Sequence, residues 1–312
     1  MEKHNFIAVS EFIFMGITEC PELQVPLFVL FLIIYAISVV GNLGMIIFTK
    51  VDSRLQTPMY FFLRHLALTD LGYSTDVGPK MLNFVVDQNP ISYYGCATQL
   101  AFFITFIECE LFILSAMSYD CYVAICNPLR YKVTMSQQVC WVLVAIPYLF
   151  CTFMSLTVTI KIFTLPFCGY NVISHFYCES LPLLSLLCSN THEIELIILV
   201  FLAINLISSL LIILVCYLLL LIAILRINSA EGRHKAFSTC GSHLTVVIVF
   251  YGTLIFMYVQ PKSSHSSDTD KVASIFYILV IPLLNPLIYS LRNKVVKYAL
   301  QRTWKKIYNV FT

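Results

Sequence analysis

Charge is scarce in this sequence. Asp, Glu, Lys and Arg make up 12% of the 312 residues, against roughly 25% in soluble domains, so a globule with a charged coat is excluded. The chain is 59% hydrophobic with a mean hydropathy of +0.84. A soluble core cannot absorb that much apolar surface, but a bilayer can. The net charge of +2 gives no sign of a nucleic-acid partner. The apolar runs lack period-2 alternation, which excludes the strands of a membrane barrel. No internal repeat links the two halves, as it does in many transporters, and no charged pathway joins the two sides as a channel would need. Neither a His-rich metal set nor a nucleophile–base pair appears at inner-face spacing, so no enzyme is expected. The sequence has no Asn-x-Ser/Thr sequon, so N-glycosylation is not expected. Its first residues, MEKHNFIAVSEFIFMG, lack the basic-then-apolar pattern of a cleaved signal, and the first helix is expected to act as the anchor.

What is present is a set of seven apolar stretches, near 24–49, 58–80, 97–119, 139–160, 194–225, 237–259 and 272–291. Each can cross a hydrocarbon core, which takes about 20 residues of helix, and lipid forces such runs to be helical. The expected fold is therefore an all-α membrane protein, a single seven-transmembrane-helix bundle over 1–312. A short amphipathic helix is expected near 293–307, with Val296, Leu300, Trp304 and Ile307 on one face and Lys and Arg on the other. That pattern suits the anionic lipid of an inner leaflet. With the N-terminus outside, Lys3, Lys80, Lys161, Lys262 and Lys271 lie on outer segments and the other fourteen of the nineteen basic residues lie inside. This bias sets the N-terminus extracellular and the C-terminus cytoplasmic. Four of the twelve cysteines, Cys96, Cys168, Cys178 and Cys188, fall at outer loops, where disulfides persist; the sequence alone allows three pairings. The long loop near 161–193 reads as a lid over a cavity.

Within the runs, carboxyls are conspicuous. Asp70 and Glu110 sit deep in the second and third helices. Intramembrane acids are functional candidates by default, either carrying a proton or sharing a cation or basic partner. Glu108 lies two residues from Glu110, about 200° around the helix, and is expected to face an upper cavity or a neighbouring helix. In IPLLNPLIY, Pro282 and Pro286 remove backbone donors and predict a kinked last helix. At the inner end of the third helix, SYDCYVAICNPLRY sets Asp120 beside a thiol, Cys121, where a basic partner is expected; Arg130 and Lys132 are the nearby candidates.

Six stretches together resemble the odorant receptors, a branch of the rhodopsin-like G protein-coupled receptors. They are GNLG at 41–44, LQTPMYFFLRHLALTDL at 55–71, SAMSYDCYVAICNPLRY at 115–131, FCGYNVISHFYCESLPLL at 167–184, KAFSTCGSHL at 235–244 and PLLNPLIYSLRNK at 282–294. The resemblance implies a plasma-membrane receptor that binds a small, mostly apolar odorant between helices 3, 5 and 6 and signals through a stimulatory heterotrimeric G protein to adenylyl cyclase. It implies a ligand-binding set of Ile104, Ile107, Glu108, Leu111, Phe201, Asn205, Tyr251, Leu254, Ile255 and Tyr258. It implies the disulfides Cys96–Cys178 and Cys168–Cys188, which removes HFYCE (175–179) as a metal site because a disulfide sulfur is no thiolate ligand. No cofactor is implied beyond an allosteric sodium ion held by Asp70, Glu110, Ser115 and Asn285. The inner switch comprises Asp120, Cys121, Tyr122, Tyr217, Lys235, Pro286 and Tyr289. The family carries Asp-Arg-Tyr where this chain has Asp120, Cys121 and Tyr122, and the missing arginine implies an alternative: a receptor fold that binds ligand and couples weakly to G protein.

Overall fold

The computed structural model describes residues 9–15, 21–83, 90–259, 271–272 and 274–292. Among these, seven helices form the bundle: α1 (Pro21–Val51), α2 (Pro58–Asn83), α3 (Tyr93–Cys126), α4 (Gln137–Thr164), α5 (His192–Leu225), α6 (Ala230–Val259) and α7 (Ile281–Arg292). Local sequence explains several ends. Pro58 opens α2, where a missing N–H costs nothing. Ser92 and Ser136 cap α3 and α4, their hydroxyls accepting from Gly95 N at 3.1 Å and Val139 N at 3.4 Å. α3 runs past the expected end at 119 to Cys126, so Asp120, Cys121 and Tyr122 are helical. A charged side chain ends an apolar run without ending the helix; Pro128, which disfavours helix before it, does so here.

Among the described residues α1, α3, α4 and α5 are long and apolar enough to span a membrane on length and composition alone. α2 carries Arg64, Asp70, Asp76 and Lys80, and the apolar runs towards α6 and α7 are shorter, His243–Phe256 and Phe276–Tyr289. α3 is buried round most of its surface and packs on α2, α4, α5 and α6, while α1 packs on α2 and α7. A helix apolar all round belongs in the middle of a bundle. α2 and α3 meet closely at Gly72, where a Cβ would stand 2.7 Å from the Phe106 ring.

The last helix differs from the expected simple kink. A π-helical turn, Phe276–Val280, precedes α7. Pro282 has no N–H and crowds the turn before it, and widening that turn into a π bulge removes the conflict. Asn42 of α1 donates its Nδ2 to Pro282 O at 2.9 Å, supplying from a neighbour what the helix cannot.

The end of the bundle expected from the sequence to face outward is roofed by a three-stranded sheet in the order β2 (Pro90–Ser92), β1 (Glu11–Phe14), β3 (Val172–Ile173), antiparallel then parallel. Phe12 is fully buried there against Tyr93, Phe163 and Phe167. The expected amphipathic segment near 293–307 lies outside the described residues.

Candidate functional site

Three buried polar centres are stacked along α3. The middle one joins α2, α3 and α7. Asn285 Nδ2 donates to Asp70 Oδ1 and Oδ2 at 3.1 and 2.9 Å and to Glu110 Oε1 at 3.3 Å. The Tyr73 hydroxyl adds a bond to Asp70 Oδ1 at 3.0 Å. Asp70 and Glu110 are fully buried, and Glu110 Oε2 has no hydrogen-bond partner. Ser115, expected here, is elsewhere: its hydroxyl donates to Leu111 O at 2.8 Å and Ser209 O at 3.2 Å. Five residues past Glu110, a net rotation of about 140° has carried it towards α5, where it ties two helices together.

The outer centre lies between α3, α5 and α6. Glu108 and Asn205 are both buried, and the Asn205 side chain faces the Glu108 carboxyl. Glu108 Oε2 and Asn205 Nδ2 nevertheless lack partners among the described residues. Leu111, Tyr251 and Leu254 are buried beside them, with the Tyr251 hydroxyl directed at Leu111 O, 3.4 Å away. Ile104 and Ile107 are half-buried against this core and the outer one, and Phe201 packs on Phe150 of α4 with ring centres 6.0 Å apart. Ile255 departs from the expectation. It is 38% exposed, because one residue beyond Leu254 is about 100° further round the helix and faces outward. The Tyr258 side chain lies outside the described residues. A separate cavity of about 500 Å³ opens between the outer ends of α2 and α3, lined by Asp76, Lys80, Tyr94 and Gln99 among others.

Above this level the lid is fastened. Cys96 is bonded to Cys178 and Cys168 to Cys188, with Cα separations of 5.6 and 5.0 Å. Gln99 accepts from Cys178 N at 3.0 Å, and Tyr177 of the lid shares a hydrogen bond with Tyr277. His175 was not anticipated as a site residue. Its Nε2 lies 3.2 Å from Ser274 Oγ and 3.4 Å from Glu179 Oε2, while Nδ1 has no partner. Burial, with Lys271 adding to it, pushes His175 down to about 3, so the neutral ring is the one that fits. Stability from this ring is complete above the ordinary value near 6.5 and falls as pH drops towards 3. The purified receptor is therefore expected to melt at a lower temperature at pH 5 than at pH 7.5, and His175→Gln to flatten that difference. Equal pH sensitivity in both proteins would show that another group carries it.

The inner centre holds Asp120, Cys121 and Tyr122. Asp120 is 2% exposed and accepts from the Tyr131 hydroxyl at 2.8 Å. Burial and the Asp120 carboxyl push the Tyr131 phenol up, which keeps its proton available to donate. Arg130 and Lys132, the candidates from sequence, are exposed; the phenol between them turns inward instead. Cys121 is buried with Leu220 and Ile224 of α5 and Cys240 of α6. Tyr217 is half-buried against the same group, donating to His243 Nδ1 at 2.5 Å, and His243 Nε2 donates to Leu114 O at 3.1 Å. Tyr122 is half-buried, and Tyr289 is buried with its hydroxyl unpartnered. Pro286 packs where a Cβ on Gly41 would come within 3.1 Å of its ring. The Lys235 side chain lies outside the described residues.

The family model for olfactory receptors matches residues 31–306. Olfactory receptor 8K3 of Homo sapiens is 79% identical over 312 residues, 100% of each chain. Olfactory receptor 8K5 of Homo sapiens is 65% identical over 306 residues, 98% of this chain and 100% of that one. Olfactory receptor 8U3 of Mus musculus is 57% identical over 309 residues, covering 99% and 97%. The crystal structure of squid rhodopsin shares the fold, with a TM-score of 0.69 at 17% identity over 92% of this chain and 87% of that one. Proteins of this kind are multi-pass receptors of the plasma membrane, not enzymes, and they couple small-molecule ligands to G proteins. A seven-helix bundle with this sequence along its length is therefore an odorant receptor: the chain belongs to the olfactory receptor family of rhodopsin-like G protein-coupled receptors.

Proposed function

We propose that this receptor binds its odorant at the Glu108–Asn205 level of α3, α5 and α6, with the N-terminus outside, and activates a stimulatory G protein and adenylyl cyclase. The observation that carries the ligand site is the pair of buried polar atoms, Glu108 Oε2 and Asn205 Nδ2, whose side chains face each other while neither atom closes a well-formed hydrogen bond among the described residues. Such orphans are costly unless something pairs with them. A ligand with an apolar body and one donor-and-acceptor group, such as an alcohol or an amine, pairs with both, and the apolar neighbours suit its body. The two disulfides lie at the same end as the lid, which supports placing that end in the oxidising exterior. The basic tail supports an anionic lipid partner inside.

In cAMP assays over a chemically varied odorant panel, Glu108→Gln and Asn205→Ala should each reduce the potency of hydrogen-bonding agonists about tenfold, the effect of one lost bond of about 1.4 kcal/mol. Their effect on hydrocarbon agonists should be small. Equal losses for both ligand classes would remove the pair from the ligand site.

The middle centre is proposed to take a sodium ion. Its donors are oxygens, which suit a hard cation, and Glu110 Oε2 is the orphan such an ion satisfies. Asp70 and Glu110 are the ligands, while Asn285 turns its amide towards both acids and joins only if its oxygen rotates inward. Replacing sodium with a large organic cation should raise agonist potency in the wild type and leave Asp70→Ala unchanged. A shift of equal size in both would remove the site.

A second reading has its own observation. Cys121 is 6% exposed and held between α5 and α6, so it offers no charge and little reach to a partner at the inner face. In that reading the protein binds odorant and couples weakly.

A further inference from the structure

Eleven of the twelve cysteines are described, and the free ones are not scattered at random. Cys121 of α3 and Cys240 of α6 belong to one small cluster with Leu220 and Ile224 of α5, flanked by Ile125 and Tyr217. The two cysteines are packed in the same apolar cluster, one from each side of the α3–α6 contact. Their helices are held in register by the surrounding polar bolt. The Tyr217 hydroxyl donates to His243 Nδ1 at 2.5 Å and lies 3.4 Å from Cys240 O, and His243 Nε2 donates to Leu114 O at 3.1 Å. α3, α5 and α6 are thus pinned together on the lid side of the thiol pair. Both residues are buried, with 6% of Cys121 and 3% of Cys240 exposed, at the end of the bundle opposite the lid.

We propose that Cys121 and Cys240 form an oxidation site: a small peroxide converts them to an interhelical disulfide that locks α6 against α3. One thiolate attacks a peroxide oxygen, the O–O bond breaks, and a sulfenic acid and one water result. The second sulfur then displaces the sulfenic oxygen, forming the S–S bond and releasing a second water. Two thiols lose two electrons, and hydrogen peroxide is reduced to two waters. A disulfide holds its Cα atoms within about 4.4–6.8 Å, so the helices cannot part at this level while the bond lasts. Cys121 stands where the resemblance implies the family's arginine, and an arginine cannot form this bond. The substitution exchanges a fixed charge for a reversible cross-link. The effect on signalling rests on the reading of the inner face as the G-protein surface; formation of the bond does not.

Two other thiols sharpen the test. Cys216 of α5 lies close to Cys121 and is a competing partner. Cys109 and Cys151 form a second close pair, between α3 and α4, but both are fully buried and serve as an internal control. Full-length receptor in lipid nanodiscs is treated with hydrogen peroxide, its remaining thiols are alkylated, and proteolytic peptides are weighed. The expected result is a linked pair containing Cys121 and Cys240, two hydrogens lighter than the separate peptides. The link should vanish in Cys121→Ser and Cys240→Ser, with Cys109 and Cys151 unlinked throughout. Agonist-driven nucleotide exchange on added G protein should fall to the agonist-free level after peroxide, recover with a thiol reductant, and resist peroxide in Cys121→Ser. Alkylated, unlinked Cys121 and Cys240, or a link through Cys216 instead, overturns the site. A Cys121–Cys240 link that leaves exchange unchanged overturns the lock.

Discussion

Cys121→Arg should raise agonist-driven cAMP about tenfold and lift the agonist-free level with it. The native side chain occupies a small, closed space among Leu220, Ile224 and Cys240. An arginine does not fit there, and overpacking of this kind costs about 1–3 kcal/mol. The cost falls on the arrangement in which α6 is packed against α3, and is relieved when α6 moves away. The equilibrium therefore shifts towards the open bundle, by about tenfold for each 1.4 kcal/mol. A ligand or mutation moves such an equilibrium only by its differential effect on the two states, and here the difference is steric. The freed guanidinium also presents up to five donors to a G protein, so the occupancy and quality of the coupled state rise together. Asp120 beside it does not reverse this, because its carboxyl is already bonded to Tyr131 at 2.8 Å. Cys121→Ala separates the contributions: it removes the thiol without crowding or charge and should leave coupling near the wild-type level. A Cys121→Arg receptor with normal surface expression and no gain in cAMP would show that the missing arginine does not limit signalling.

The bundle was legible because lipid simplifies the code: long apolar runs, short loops and a one-sided distribution of Lys and Arg leave few alternatives to a row of spanning helices. The side chains within it were legible where chemistry is expensive. Asp70, Glu110 and Asn285 meet as expected, since acids in a membrane have few tolerable environments. Errors arose where the rotation of one residue decides. Ser115 turns towards Ser209 and Ile255 turns out of the bundle, and single-residue steps of about 100° are not fixed by motif spacing alone. Tyr131, not its basic neighbours, partners Asp120, because charge complementarity is visible in a sequence and the inward turn of a phenol is not. The same holds for His175, whose partners Ser274 and Glu179 come from separate segments and meet only under the lid. The π turn before Pro282 was beyond reach, because proline announces a disturbed helix without saying which of several local adjustments absorbs it.

The largest stability effect is expected at Asn285. Among the described residues its Nδ2 is the one amide donor serving both Asp70 and Glu110, and all three residues are buried. Asn285→Asp replaces that donor with a third carboxyl and sets acid against acid in a medium that screens poorly. Leaving a buried acceptor without its donor costs about 1–3 kcal/mol for each group, and two carboxyls lose theirs here, a large share of the 5–15 kcal/mol that holds a typical protein folded. Surface expression and radioligand or nanobody-detected folding should therefore collapse in Asn285→Asp. The interaction predicts its own rescue. In Asp70→Asn/Asn285→Asp the amide and carboxyl exchange helices, the donor again faces an acceptor across the α2–α7 gap, and Glu110 keeps a neighbouring amide from α2. Expression should return to most of the wild-type level, while Asp70→Asn alone should be mild because it places two amides that still pair with each other. The non-additivity is the diagnostic quantity: a double mutant no better than Asn285→Asp would mean that the hydrogen bond is incidental and that the asparagine is required for the shape of α7. Recovery of folding with altered sodium sensitivity would tie the same three residues to both stability and ion binding, since the swap preserves the polar contact but moves the carboxyl from α2 to α7.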